Sequence, residues 1–324
     1  MIKVLFSLII LCLLPVPGML LLRAMRRHFA FSMGYICSML INLLVFCLCV
    51  RRLAERYDAP GMLPVKAVFG VLLLECFLLV YVWIYRSYQS RKLMGIMQFF
   101  RLKNSRISVS VFDGLAILVW MAGAFSYICY VPEDALTMMA DVNRVDLFGI
   151  INGDPGVMLA YYLKALIGIS QADAVCLATP LSFYFAFVIL MKEMADTLFE
   201  DRPSLASRGF FALAAVTLLG DCLYTQSHMV LHGLNHPENV ITVVCVPLAF
   251  ICGLRLYGAW DRFLENEKGA YRSLPYYMAA LLLCIVCSHI LYLRAFSLIG
   301  STMILFVLLF LGRRYLSWTQ SGKS

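Results

Sequence analysis

Charged residues are scarce in this chain, and their scarcity excludes several classes of protein at once. Of its 324 residues, 14% are charged and 62% are hydrophobic, whereas about 25% of the residues of a soluble globular domain are charged. Such a composition is not that of an ordinary cytosolic enzyme, an intrinsically disordered chain or a protein that mainly binds nucleic acid. The mean hydropathy of +0.83 is typical of a protein that crosses a membrane several times.

Recognisable catalytic motifs and internal repeats are also missing. The sequence has no phosphate-binding loop, no dinucleotide-binding glycine motif, no HExxH zinc motif and no GxSxG elbow. It has no repeat that would indicate an inverted-repeat transporter. Most of its 12 cysteines lie in apolar runs, where a thiol packs as a small apolar group, and we interpret Cys284-x-x-Cys287 in the same way.

Long apolar runs are what the sequence has in abundance. A membrane-spanning helix needs about 20 mainly apolar residues. We therefore predict an all-α, polytopic integral membrane protein with about nine transmembrane helices. The first run leads directly into Arg23, Arg26 and Arg27, and we interpret it as a retained span rather than a signal peptide. The nine predicted spans are 4–22, 32–50, 67–85, 112–130, 174–194, 209–226, 239–257, 274–293 and 296–312.

The distribution of charge predicts the side that each loop faces, because Lys and Arg collect in cytoplasmic loops. Segment 86–106 has several basic residues and no acidic one, which predicts a cytoplasmic position. Segment 131–155 has five acidic residues against Arg144 alone, which predicts an outer position. Both assignments hold if the amino terminus is outside, the carboxyl terminus is inside and segment 156–170 does not cross. The basic segment 51–66 conflicts with this arrangement, because it falls outside.

Segment 156–170 is too short to span the membrane. A helix of that length rises roughly 22 Å, whereas the hydrocarbon core is about 30 Å thick. We predict one interfacial helix on the outer surface, with Pro155 suited to its first position and Tyr161 and Tyr162 at the level of the lipid headgroups. Lys164 on this helix is predicted to hold a lipid phosphate; the alternative is a lysine that merely extends to the headgroups.

Acidic residues and histidines in two outer segments are the candidates for chemistry. Glu133 and Asp134 follow a span, and adjacent carboxylates can bind a divalent cation or act as a general base, although a solvated turn is the alternative. His228 and His232 are four residues apart, so a continuous helix places both imidazoles on one face, where they can bind a metal. An ordinary external loop is the alternative there. Asp141 is a third candidate metal ligand.

Ionisable residues inside the apolar runs are further candidates, because an unpaired charge in a bilayer is costly. Glu75 and Asp221 are the clearest cases. Asp221 lies about one helical turn from the outer end of its run. We assign it, with Lys164 and Arg144, to substrate binding in a cavity beneath the histidines; pairing with a neighbouring helix is the alternative. Asp113 lies at the cytoplasmic edge of its run, where we expect it to reach water.

The order of elements from about residue 112 to 257 resembles a known arrangement. A span leads into an acidic outer loop, then an interfacial helix, then a returning span. The residues that carry the resemblance are Tyr130-x-Pro132-x-Asp134, Asp154-Pro155-Gly156, Pro180 in its span, LFEDR at 198–202 and GLNHPENVITVVCVPLAF with Pro247. This order resembles the core of the GT-C membrane glycosyltransferases, and more closely a group of bacterial multi-pass proteins with a GT-C-like layout.

The resemblance implies transfer of a sugar from a polyprenyl-phosphate donor, on the outer face of the bacterial cytoplasmic membrane, in cell-envelope assembly. Asp134, with Glu133, then corresponds to the outer-loop acid that activates the acceptor or holds a divalent cation. The interfacial helix corresponds to the "jaw" helix of the family. The implied partners are membrane lipids, a polyprenyl-phosphate sugar and membrane protein subunits, with no nucleic acid.

The resemblance also divides the chain. Residues 1–111 hold the N-terminal spans and the basic loop, 112–257 form the GT-C-like core, and 258–324 form a C-terminal hairpin and a cytoplasmic tail. Ala135 stands where the family has a second acid. This departure favours the alternative function, which is a non-catalytic subunit of a larger assembly or a lipid-handling transporter.

Overall fold

The protein is helical throughout the part that the structure describes. A computed structural model describes residues 2–25, 31–54, 63–89, 110–129, 155–200, 202–222, 237–264, 274–291 and 293–321. A three-residue helical turn, Gln171–Asp173, and a π-helical turn, Ala174–Ala178, lead directly into the helix that begins at Thr179. The helices are α1 (Ile2–Leu13), α2 (Val16–Met25), α3 (Phe31–Ala54), α4 (Leu63–Gln89), α5 (Val111–Cys129), α6 (Pro155–Ile167), α7 (Thr179–Leu198), α8 (Pro203–Cys222), α9 (Pro237–Leu264), α10 (Leu274–Leu291) and α11 (Leu293–Ser321).

Five stretches of the described chain are long and apolar enough to cross a membrane. They coincide with the first five predicted spans, and helices α8 to α11 cover the positions of the other four. The prediction of an all-helical membrane protein is therefore confirmed, while the number of nine spans stays a prediction. The five stretches are Ile2–Ala24, Ser32–Cys49, Val65–Gln89, Val111–Ile128 and Ala174–Leu198.

The hydrophobic core is centred on α7. In an apolar 18-residue segment of Ala174–Leu198, 78% of the residues are buried, compared with 17% in the corresponding segment of Val65–Gln89. Phe183 and Leu190 on α7 are each about 1% exposed. Helix α4 instead exposes large apolar side chains such as Phe77. An exposed apolar face of this kind is what a helix presents to lipid, because hydrocarbon does not penalise it as water does.

The cysteines pack as the sequence predicts. Cys284 and Cys287 on α10 are free thiols with no exposed surface, as are Cys245 and Cys252 on α9. Small side chains at such positions let helices approach closely. The CxxC spacing therefore belongs to a packed helix interface in the described structure.

A tyrosine bonds to the π-helical turn that precedes the proline in the most buried span. Pro180 has no N–H to donate to that turn. The hydroxyl group of Tyr127 on α5 donates to the carbonyl oxygen of Cys176 in the turn, at 2.6 Å. Tyr127 is only 3% exposed, so the bond is shielded from water. Side-chain donors of this kind are how a spanning helix tolerates proline.

We expect Tyr127→Phe to lower the free energy of unfolding by about 1 kcal/mol, because it removes a buried hydrogen bond. In a Pro180→Ala background the backbone N–H returns, so the same substitution is expected to cost much less. Thermal unfolding of the four proteins of this cycle in detergent micelles measures the difference. An equal cost of Tyr127→Phe in both backgrounds would contradict the role of the hydroxyl group.

Asp113 is enclosed by protein, and the expectation that it reaches water is wrong. The residue is 9% exposed. Its Oδ2 accepts a hydrogen bond from Ser207 Oγ on α8 at 3.0 Å, and its Oδ1 lies 3.5 Å from Lys192 Nζ on α7. A carboxylate can be buried there because a cation and a hydroxyl group replace water. These contacts join the starts of α5 and α8 to the end of α7, all of which the charge pattern assigns to the cytoplasmic side.

A second polar cluster joins α3, α7 and α9 at the same end of the bundle. Arg255 Nη2 on α9 lies 3.3 Å from Glu193 Oε1, and its Nη1 lies 3.0 Å from Glu200 Oε1. Ser32 Oγ, at the start of α3, donates to the other carboxylate oxygen of Glu193. We name Ser32, Glu193, Glu200 and Arg255 the arginine cluster. It brings two further helix ends, those of α3 and α9, to the end of α7, and the charge pattern places both on the cytoplasmic side.

Candidate functional site

Most of the predicted site residues lie outside the part of the chain that the structure describes. The backbone of Asp221 lies in the last turn of α8, but the structure does not describe its side chain. Among the residues that are described, no group of three or more His, Cys, Asp or Glu is placed to hold a metal ion. The residues outside are Glu133, Asp134, Asp141, Arg144, His228 and His232.

The short helix after the acidic segment is present at the predicted position. Helix α6 begins at Pro155 and has 13 residues, so it rises about 20 Å and is shorter than the hydrocarbon core. Leu159 and Leu163 are buried against the protein, whereas Lys164 is exposed. Lys164 thus lies where it can meet solvent or a lipid headgroup.

The sequence predicts that Tyr162 extends toward the lipid headgroups, but the structure places it inside the protein. It is 5% exposed and packs edge to face against Phe46 on α3, with ring centroids 6.3 Å apart. Burial raises the pKa of its phenol. The side chain of Tyr161 is outside the description. Tyr162 therefore anchors α6 to the bundle rather than to lipid.

The end of α6 is tied to the start of the chain. Gly168 has a φ of +66°, a left-handed conformation that glycine adopts without strain, and its N–H donates to Lys164 O at 3.0 Å. Lys3 Nζ on α1 donates to Gly168 O at 2.9 Å. A cation at this position also complements the negative end of the helix dipole. The amino terminus and the end of α6 therefore share one end of the bundle, as the predicted topology requires.

The first span is broken near its middle, which the sequence analysis did not anticipate. Helix α1 ends at Leu13 and α2 begins at Val16. Pro15 and Pro17 have no N–H groups, so the run of helical hydrogen bonds cannot continue through them. The break leaves backbone carbonyl groups inside the apolar span, where each needs a donor.

Three side chains on one face of α3 donate to carbonyl groups at the break, although Pro15 O also accepts from the N–H of Met19 at 2.9 Å. Tyr35 Oη donates to Cys12 O at 3.0 Å, Ser38 Oγ to Pro15 O at 2.7 Å and Asn42 Nδ2 to Leu14 O at 3.2 Å. Positions 35, 38 and 42 are three and four residues apart, so they share a helix face. The break is therefore a built feature with a matching polar face opposite it.

Glu75 on α4 completes this site, which we name the helix-break site: Glu75, Asn42, Ser38 and the residues 14–18. The Gly18 N–H and the Asn42 side-chain amide both donate to the Glu75 carboxyl group. Gly18 is the third residue of α2, and a helix leaves the N–H groups of its first turn without partners in the helix. The carboxyl group thus caps α2 from a neighbouring helix.

Glycine is required at position 18 by the approach of Glu75. A Cβ built there would overlap Glu75 Oε1 and Ser38 Oγ. The residue is therefore part of the site's geometry: only a residue without a side chain lets the carboxyl group and the hydroxyl group reach the start of α2.

An apolar cavity of about 60 Å³ adjoins the helix-break site. It has room for several water molecules, since one needs about 10–15 Å³ and polar groups to bond with. Tyr35, Asn42 and Ser182 are the polar residues of its wall, and Pro15 and Leu159 of α6 also line it. The cavity thus lies between the break in the first span and α6.

Sequence reasoning found one member of this site and missed the rest. Glu75 is prominent because it is an acid inside an apolar run. Ser38 and Asn42 are not conspicuous alone, since hydroxyl and amide groups are common in spans. The available signal was the Pro15-x-Pro17 pair in a predicted span, which demands donors from elsewhere.

The described helices and the helix-break site define an all-helical, multi-pass membrane protein with a carboxyl group buried at a helix break. Comparison with known protein families, with curated proteins and with solved structures finds no match to this chain.

Proposed function

We propose that this chain is a GT-C-like membrane protein that transfers a sugar from a polyprenyl-phosphate donor on the outer face of the bacterial cytoplasmic membrane, in cell-envelope assembly. The observation that supports the proposal is helix α6. It follows the acidic segment, is too short to span, and buries Leu159 and Leu163 while Lys164 is exposed. A jaw helix beside an acidic outer loop is the arrangement that the resemblance leads one to expect.

The proposal gives each predicted site residue a task. Asp134, with Glu133, activates the acceptor hydroxyl group as a general base. Lys164 and Arg144 hold the phosphate of the donor, because cations offer charge-assisted hydrogen bonds to phosphate oxygens. Asp221 binds the sugar or the acceptor from α8.

A divalent cation is the proposed cofactor. Its proposed ligands are Asp141, His228 and His232, whose nitrogen and oxygen atoms suit a transition metal such as zinc or manganese. When bound, such a cation would neutralise charge on the donor phosphate. The cation does not enter the test below, which concerns only the acids.

The joint substitution Glu133→Ala, Asp134→Ala is expected to lower sugar transfer by roughly 10²-fold or more, which is the usual contribution of a general base. The measurement follows radiolabel from a polyprenyl-phosphate hexose into membrane-bound acceptor, in membranes that contain the full chain. Asp146→Ala removes another acid of the same segment and is the matched control, with transfer expected to stay near the wild-type rate.

Unchanged transfer in the double variant would contradict the proposed catalytic role. Absence of transfer in the wild-type chain, together with a stable membrane partner on co-purification, would instead favour the alternative of a non-catalytic subunit. Absence of both would leave the lipid-handling transporter as the better description.

A further inference from the structure

Two equally buried glutamates in this protein have opposite surroundings. Glu75 and Glu193 are each 8% exposed. Glu193 lies 3.3 Å from the guanidinium group of Arg255 and accepts a hydrogen bond from Ser32. Glu75 takes part in no salt bridge of the described structure. A carboxylate buried without a cation is costly, and a neutral carboxylic acid avoids that cost.

The hydrogen-bond pattern around Glu75 has a place for one more hydrogen. The donors to its carboxyl group are the Gly18 N–H and the Asn42 amide. Glu75 Oε2 is buried and has no hydrogen-bond partner, and the same is true of Asn42 Oδ1. Both atoms are acceptors, so neither can bond to the other unless a hydrogen is added. A proton on Glu75 turns one of the two into a donor.

The position of Glu75 strengthens this interpretation. It lies near the middle of the stretch Val65–Gln89, which is long and apolar enough to cross a membrane. It also lies against a break in another spanning helix, and broken helices are where membrane proteins bind protons and small cations. The cavity that Asn42 lines has room for the water molecules that would exchange a proton with this site.

We propose that the helix-break site is a membrane-embedded proton-binding site, in which Glu75 holds one proton as a neutral carboxylic acid and Asn42 Oδ1 is its acceptor. Release of the proton to water leaves a carboxylate whose Oε2 again lacks a donor. The carboxyl group caps the start of α2, so the presence of the proton sets how firmly α2 is held at the break. This site is separate from the proposed sugar-transfer residues.

Other ionisable side chains lie on the helices that pack against α4. None of those whose side chains are described forms a salt bridge with Glu75, and the groups that act on its carboxyl group are Asn42 and Gly18. The ionisable side chains on α2, α3 and α6 that the structure describes are Arg23, Tyr35, Cys37, Cys47, Cys49, Tyr162 and Lys164.

Infrared spectroscopy of the purified full chain in lipid nanodiscs tests the proposal. At neutral pH the wild-type protein is expected to show the carbonyl stretch of a protonated carboxylic acid, above the amide I band. Glu75→Gln keeps the shape of the side chain and is expected to abolish the band. Glu193→Gln removes the salt-bridged glutamate and is expected to leave the band in place. A band that persists in Glu75→Gln, or that is absent from the wild-type protein, would overturn the proposal.

A second measurement does not depend on the folding of a variant. A protonated acid in an apolar site adds its O–H across a C=N bond of dicyclohexylcarbodiimide, and the acyl group then migrates to nitrogen to give a stable N-acylurea. Peptide mass spectrometry of the treated wild-type protein is expected to find this adduct on Glu75 and not on Glu193. An adduct on Glu193 alone, or on neither residue, would count against the proton site.

Discussion

Arg255→Ala is expected to lower the free energy of unfolding by about 2–3 kcal/mol, because it leaves the carboxylate of Glu193 buried without its cation. Arg255 binds two acids with two different nitrogen atoms, at 3.3 Å to Glu193 and 3.0 Å to Glu200. Removal of one partner of a fully buried pair costs about 3–5 kcal/mol. The side chains of Arg255 and Glu193 are 17% and 10% exposed, which places the expected value below that range.

The two acids of the arginine cluster provide the controls. The side chain of Glu200 is 54% exposed, so Glu200→Ala is expected to cost less than about 1 kcal/mol. The double variant Arg255→Ala, Glu193→Gln removes the uncompensated charge and is expected to be more stable than Arg255→Ala alone. Arg255→Lys is expected to fall between the wild type and Arg255→Ala, because one ammonium group lacks the two-pronged geometry of a guanidinium group.

Apparent melting temperatures in detergent micelles rank these variants. If Glu200→Ala and Arg255→Ala proved equally destabilised, the exposed pair would matter as much as the buried one. The conclusion that the pair with Glu193 contributes more stability than the pair with Glu200 would then be wrong.

The sequence predicts the helices of this protein well, because apolar runs of spanning length leave few other structures possible in a membrane. The first five predicted spans coincide with the apolar stretches of the structure, and Pro155 starts α6 as expected. The contacts of Asp113 and Arg255 bring together helix ends that the charge pattern assigns to one side, and the contact of Lys3 joins two segments that it assigns to the other. Which of these sides faces the cytoplasm stays a prediction.

What the sequence does not predict is pairing between distant helices. Hydropathy treats Asn42 and Ser38 as minor interruptions of an apolar run, although each donates to a carbonyl group at the break in the first span. The burial of Asp113 is another case. Its position in the sequence indicates the edge of an apolar run, and only the packing of α5 against α7 and α8 encloses its side chain. These partners lie far apart in the chain, so no local pattern encodes them.

The predicted sugar-transfer residues remain predictions for a different reason. Asp134, Glu133 and the two histidines at 228 and 232 lie outside the described residues. Their support is the resemblance and the position of α6 next to the acidic segment. The helix-break site rests on described contacts instead, and it can be tested without knowledge of any substrate.

Gly18→Ala is expected to lower the free energy of unfolding by about 1–3 kcal/mol, because the ends of the Glu75 and Ser38 side chains must shift to admit a Cβ. The added Cβ would overlap Glu75 Oε1 and Ser38 Oγ. Overpacking of this kind costs about 1–3 kcal/mol. Displacement of the carboxyl group also leaves the Gly18 N–H without its acceptor, which costs about 1–3 kcal/mol for a buried donor.

Gly70→Ala is the matched control for Gly18→Ala, because Gly70 lies on α4 and a Cβ added to it would meet no other atom within 4 Å. There the only effect is the helix propensity of alanine, which favours it over glycine by up to about 1 kcal/mol. The two Gly-to-Ala changes should therefore shift the melting temperature in opposite directions. In a Glu75→Ala background the main obstacle is gone, so Gly18→Ala should cost less than in the wild type, and an undiminished cost would show that the carboxyl group does not lie against the start of α2.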